Sequence, residues 1–342
     1  MADIAVGNAR GAWHDHAGAD ARDTWRPIDA RRALQLALAA VWLLDGVLQY
    51  QSVMFTRAFG QMLAASAAGN PAVIAAPITW DAHLIEQHGV ALNTIFATVQ
   101  LLLGIGIAWR PAARIALGAS IAWALCVWWL GEGLGGVLTA NASPVSGAPG
   151  AVIIYAVLAV VLWPSDRSAT PPFTAVPFTA ARAVGTRIAK LLWFALWASL
   201  AYFALLPGSR SAQGLHDLVA SAGSAEPGWL AALDGRAAAL LSQQGLTASI
   251  VLAAVLAVIA IGVFLPPPLA RATIVLAIVV SAAIWVIGQA LGGILTGSGT
   301  DPGSGLPLVL LALAYWPAGA RPGPRVRPAG MIASRAGERR PA

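Results

Sequence analysis

Cysteine is almost absent from this chain: Cys126 stands alone inside an apolar run. A single thiol makes no intrachain disulfide, no CxxC redox pair and no thiolate metal cluster. Lysine is as scarce, with Lys190 the one lysine among 21 basic residues, which reads as a GC-rich genome rather than a mechanism. Charge of either sign is thin, at 11% of 342 residues. The first 30 residues are polar and lack the early apolar core of a cleavable signal peptide, so the first apolar segment is expected to serve as its own signal anchor. The glycines at 131, 133, 135 and 136 are followed by no Lys-Ser/Thr and preceded by no strand, which excludes a nucleotide phosphate loop. Neither a Ser-His-Asp order in a hydrolase context nor a basic surface interleaved with aromatics is present, so nucleic acid is not an expected partner.

What the chain has in excess is hydrocarbon. It is 58% hydrophobic with a mean hydropathy of +0.71, beyond what a soluble globular domain needs. Eight apolar segments stand out, at 33–52, 88–109, 113–131, 150–164, 188–206, 246–265, 271–291 and 305–317. A span takes about 20 apolar residues, so the fourth and eighth are short. Helix is the expected form, because each backbone polar group in a bilayer needs a partner within its own segment.

Charge placement gives the expected topology. With the N-terminus inside, eighteen basic residues lie on the inner side and three, Arg57, Arg210 and Arg236, on the outer, a strong positive-inside bias. Trp109, Trp163 and Trp316 end spans at the inner face, where amphipathic rings belong. The expected organisation is a cytoplasmic tail (1–30), a four-helix membrane unit (31–166), a cytoplasmic linker (167–186), a second four-helix unit (187–318) and a basic cytoplasmic tail (319–342). The Arg-rich tail suits a topology anchor and a contact for anionic lipid heads. The long outer loops, 53–87 and 207–245, are expected to pack partly on the membrane surface.

The two units echo one another. Trp128-Trp129-Leu-Gly131-Glu132-Gly-Leu-Gly135-Gly136-Val-Leu-Thr139 returns as Trp285-Val-Ile-Gly288-Gln289-Ala-Leu-Gly292-Gly293-Ile-Leu-Thr296, at a spacing of 157 residues. Matching Pro149 with Pro307 makes the spacing 158 there, as though one residue were inserted. Pro111, Arg114 and Gln87 likewise fall on Pro268, Arg271 and Gln244. Such a duplication is a direct statement about architecture. It is parallel, unlike the inverted repeats common in transporters.

Ionisable residues inside a bilayer are costly and point to function. Asp45 and Gln49 lie four apart and share a helix face, with Trp42 one turn before. Asn93 and Gln100 lie seven apart, again on one face, as ligands or as interhelical hydrogen-bond partners. Glu132 ends the third segment one turn after Trp128, either as a functional acid or bonded to a nearby loop. The second copy carries Gln289 for Glu132, Ile250 for Asn93 and Ala257 for Gln100. The first unit is therefore expected to hold the site and the second to be scaffold. The stretch Trp80-Asp81-Ala-His83-Leu-Ile-Glu86-Gln-His88 is the nearest thing to a metal box. On a straight helix Asp81 and His88 align while His83 and Glu86 sit opposite, so this segment alone closes no zinc site. His88 with Glu132 or Asp45 from a neighbouring helix is the metal or haem alternative, and neither cofactor is expected.

Arg32-Ala-Leu-Gln-Leu-Ala-Leu-Ala-Ala-Val-Trp-Leu-Leu-Asp-Gly46 and Leu101-Leu-Leu-Gly104-Ile-Gly-Ile-Ala-Trp-Arg110-Pro-Ala-Ala-Arg114 resemble the DoxX/DoxD family of small bacterial membrane proteins. The resemblance covers about 31–164 and, more faintly, 187–317. It implies a four-helix unit fused in tandem, in a bacterial plasma membrane, tied to a quinone-coupled redox system and to a membrane or periplasm-side redox partner. In that picture Asp45 or Glu132 exchanges protons while Gln49, His88, Asn93, Gln100 and Trp128 complete an outward-facing pocket for a quinone. A carrier or binding protein for a small polar solute, with the same carboxylates as counter-charges, is the second expectation. A structural subunit of a membrane complex is the third.

Overall fold

The computed structural model describes residues 29–165, 177–223 and 226–317. Residues 1–28, with His14 and His16, and 318–342, with the C-terminal arginines, lie outside the described residues, as do 166–176 of the expected linker. Among the described residues the chain is helical, with no strand beyond one isolated bridge between Phe178 and Pro317. Among the described residues, five helices are long and apolar enough to cross a membrane.

The first helix, α1 (Ala30–Leu48), buries Leu34, Leu38, Val41, Trp42 and Asp45 on one face. Its opening turns serve other helices. Arg32 donates to the carbonyls of Ile107 (2.9 Å) and Ala108, and the Gln35 amide donates to Leu162 O at 2.9 Å. These are end carbonyls of two other helices, which lack partners of their own. After α2 (Arg57–Ala65), α3 (Ala72–Ala108) runs for 37 residues, or about 55 Å, nearly twice a hydrocarbon core. It bends at His88 (φ −126°, ψ 28°), where the apolar segment expected at 88–109 begins. Before the bend, Ala82 and Ile85 pack with Met54, Phe59 and Leu63. After it, α3 lies on α1 so closely that a Cβ on Gly104 would sit 2.8 Å from Ala39 O. Small residues allow that approach between membrane helices.

A tight turn leads to α4 (Ala113–Leu130), followed by α5 (Ala151–Val161). The described part of the expected linker carries a helix: α6 (Thr179–Val184) buries Ala180, Ala181 and Ala183, and Phe178 stacks on Tyr315 with ring centroids 5.1 Å apart. Its last residues are docked on the helices rather than spacing them. Next come α7 (Thr186–Ala204), α8 (Pro207–Arg210), α9 (Gly214–Ala222), α10 (Gly228–Leu241), α11 (Gly245–Gly262), α12 (Pro267–Ala283, continued by a π-helical turn Ile284–Gly288) and α13 (Gly305–Ala314). Pairings recur: α3 packs on α1 as α11 does on α7, and α5 on α4 as α13 does on α12. One apolar core runs from Leu34 to Tyr315 through all of these helices.

α5 and α13, at 11 and 10 residues, are only about 15 Å long and cannot cross a bilayer core unaided. Each follows a glycine elbow. Leu134, Gly135 and Gly136 take φ of 58°, 60° and 69°, and Leu291, Gly292 and Gly293 take 58°, 76° and 67°. The Trp128 indole donates to Pro149 O at 2.6 Å, and the Trp285 indole to Pro302 O at 2.6 Å. The tryptophans are 157 residues apart but these prolines only 153. The sequence match of Pro149 with Pro307 is thus corrected: the first loop is four residues longer, not one shorter. Two proline-rich loops misled the sequence register because proline recurs within each of them.

In the α9–α10 hairpin, Asp234 is 1% exposed and both its carboxylate oxygens lack hydrogen-bond partners. Burial, with the charge of Glu226 second, pushes its pKa up to about 6. The folded form therefore binds the proton more tightly than the unfolded chain. That stability is fully present below the ordinary aspartate range and is lost as pH rises through about 6. Asp234→Asn is expected to stabilise the hairpin by about 1–2 kcal/mol at pH 7.5 and to flatten its pH dependence. Amide exchange of α9 and α10 between pH 4.5 and 7.5 measures this, and an unchanged pH profile in the variant contradicts it.

Candidate functional site

Where α1 and α4 end and α5 begins, the helices leave a cavity of about 290 Å³. Asp45 and Gln49 reach it from the last turn and end of α1, Asp81 and Gln100 from the two parts of α3, and Glu132 from the residue after α4's cap. Phe59 and Met62 of α2, Phe96 of α3 and Trp123 of α4 form apolar walls, the Phe96 and Trp123 rings lying 5.8 Å apart. Thr300 and Asp301 close it from the loop before α13.

The polar groups are held by different means. Asp45 is 2% exposed and accepts a long hydrogen bond, 3.5 Å, from the Tyr155 hydroxyl. Gln49 and Gln100 are 4% and 6% exposed, and the side-chain carbonyl of each has no hydrogen-bond partner. Glu132 divides its carboxylate. Oε1 accepts from the backbone N–H groups of Ala151 (2.9 Å) and Val152 (3.3 Å), while buried Oε2 has no partner. The first N–H groups of a helix have no intrahelical acceptor, and a negative group there also suits the helix dipole. Gln289 does the same at the start of α13, its Oε1 accepting from Gly305 N at 3.1 Å and its Nε2 donating to Ser304 Oγ at 2.8 Å.

Asp301 sits in a turn of its own making: Oδ1 accepts from Gly303 N at 2.7 Å and Oδ2 from Thr300 Oγ1 at 2.9 Å. The loop is brought over the cavity partly by Gln51, whose amide donates to Gly299 O at 3.0 Å. Burial, then the charge of Asp301, holds the Glu132 carboxyl well above the usual range. Burial raises Asp301 as well, against the pull of its two hydrogen bonds. Glu132 and Asp301 also line a second, polar chamber of about 460 Å³ with Ser146, Gln289 and Ser304.

Of the residues singled out from the sequence, Asp45, Gln49, Gln100 and Glu132 line one cavity. Asn93 is fully buried and its amide donates to Gln49 O at 2.7 Å, so it supports the end of α1 from behind. Trp128 is engaged at Pro149 and does not line the cavity. His88 lies apart, beside Phe55, Arg57 and Glu86 at the bend of α3, because that bend breaks the straight-helix alignment with Asp81. His83 pairs with the Gln87 amide at 2.8 Å. Among the described residues no group of three or more His, Cys, Asp or Glu side chains converges as metal ligands would. The second half is not only scaffold, since Thr300 and Asp301 belong to the cavity. The sequence reading missed Asp81 as a cavity residue and Asp301 altogether. Asp301 was visible only as an Asp-Pro in a loop, and the misplaced register hid where that loop goes.

The fold and cavity define a helical membrane protein with an acidic, aromatic-walled pocket. No protein-family model, curated protein or solved structure matches the chain.

Proposed function

We propose that this chain is a bacterial plasma-membrane protein of eight spans in two tandem four-helix units, both termini inside, that binds a small polar solute in an outward-facing cavity. The positive-inside bias and the recurring helix pairings support that topology. One observation carries the solute reading: Asp45, Asp81, Glu132 and Asp301 line the cavity with two unpartnered amide oxygens, and no basic side chain is among the lining residues. Such a set consists of acceptors and negative charge, and its natural occupant donates hydrogen bonds and carries positive charge. The carboxylates act as its counter-charges, as they do in a carrier or a binding protein.

A quinone-associated role in a redox system is the second reading. The DoxX/DoxD resemblance implies it, and the unpartnered Trp123 indole N–H, next to Phe96, is the feature that favours it. Protein purified in mild detergent separates the two when its extract is assayed for quinone and for small nitrogenous cations. A cation in the wild type that is lost in Asp45→Asn is the expected result. Quinone in stoichiometric amount, lost in the same variant, overturns the solute reading in favour of the redox one.

A further inference from the structure

The cavity specifies its occupant more narrowly than "polar solute". Its volume is about 290 Å³, near ten liquid-water volumes, enough for one ring or a short alkyl chain with a headgroup. An anion is excluded by the lack of any lining cation. A neutral carbonyl ligand would leave the buried oxygens of Gln49, Gln100 and Glu132 unpaired, which is costly. A bare metal ion is a poor match, because the carboxyls are spread around the walls instead of converging. A quaternary ammonium would suit the aromatic faces of Phe59, Phe96 and Trp123 but has no N–H for the unpartnered oxygens.

We infer that the cavity takes a primary or secondary organic ammonium with a compact apolar body, and takes it in exchange for a proton. This rests on the solute reading above. The N–H groups, three in a primary ammonium and two in a secondary one, go to Asp45 and to side-chain oxygens among Gln49, Gln100 and Glu132, and the apolar body lies against Phe96 and Trp123. The exchange follows from what faces the ammonium: Asp45 from α1, Asp81 from α3, Cys126 from α4, Glu132, Tyr155 from α5 and Asp301. Among these groups there is no positive charge. Four carboxylates in an apolar-walled cavity cannot all remain ionised without a counter-ion, so the empty cavity retains at least one proton among them. When the ammonium enters, one carboxylic acid releases H⁺ to solvent and the resulting carboxylate accepts an N–H from the ligand. One positive charge enters and one leaves.

Titration calorimetry of the full-length protein in lipid nanodiscs tests this, with benzylammonium and butylammonium against the neutral isosteres benzyl alcohol and butanol. Two buffers of different ionisation enthalpy at pH 7 report the protons released. The expected result is at least about tenfold tighter binding of each ammonium than of its alcohol, with close to one proton released per ligand. Gln100→Leu is expected to weaken ammonium binding while sparing the alcohols. Equal affinity for ammonium and alcohol, or binding without proton release, overturns the ammonium–proton exchange and leaves the solute reading standing. Failure of all four probes to bind a protein that still unfolds cooperatively overturns that reading with it.

Discussion

Glu132→Ala is expected to lower the thermal unfolding midpoint sharply, while Glu132→Gln leaves it nearly unchanged. The alanine leaves the N–H groups of Ala151 and Val152 without an acceptor at the start of α5, where both residues are at most 5% exposed. Each stranded buried donor costs about 1–3 kcal/mol, so a loss of roughly 3 kcal/mol is expected. Glutamine keeps the side-chain carbonyl, and Gln289 shows that carbonyl bonding Gly305 N at the start of α13. The amide that replaces Oε2 would lie beside Gly150 without the hydroxyl that Ser304 offers Gln289, at a cost within about 1 kcal/mol. The two variants also separate structure from ligand binding. Both remove a cavity carboxylate, so solute affinity falls in each while the fold fails only in one. Unfolding followed by circular dichroism in detergent is the measurement. Equal loss of stability in the two variants would show that charge, not the cap, is what α5 needs.

Gly135→Ala is expected to be the most damaging single-methyl change in the elbow. A Cβ there would lie 2.0 Å from Pro149 O and 2.2 Å from its carbonyl carbon, at a φ of 60°. Backbone strain of about 1–3 kcal/mol adds to overpacking of about 1–3 kcal/mol, for a total of about 2–6 kcal/mol. Gly136→Ala is the internal control. Its φ is 69°, but its nearest neighbour would be Thr139 Oγ1 at 3.6 Å, so the backbone strain of about 1–3 kcal/mol remains without the overpacking. Unfolding midpoints of the two variants side by side decide the point. A Gly136→Ala protein as unstable as Gly135→Ala would mean that the backbone conformation, not the contact with Pro149, sets the requirement.

Much of the helical layout was legible in the sequence because a bilayer enforces it. The apolar segment read as 88–109 begins at the His88 bend of α3 and ends within a residue of its last turn. The shortness of the fourth and eighth segments was legible too, as α5 and α13. Half of the cavity's polar lining was also readable, since Asp45 and Gln49 follow from four-residue spacing, and Gln100 and Glu132 from polarity inside apolar runs. What could not be read was long-range. Nothing local says that Gln51 reaches Gly299, and through it that Asp301 comes to sit across from Asp45 and Glu132. His88 was misplaced because a helix bend cannot be seen in residue spacing.

The brevity of α5 and α13 bears on how the chain enters a membrane at all. A segment of ten or eleven residues removes too little hydrocarbon from water to partition alone, and at that length helix formation is itself marginal. Each can settle only after the helix before it is in place and its elbow has presented an oxygen to the waiting N–H groups. Assembly of each half therefore has a direction. In the proposed topology α4 and α12 would insert first as templates, and a ribosome paused after either would leave an intermediate whose next helix has no independent reason to be there.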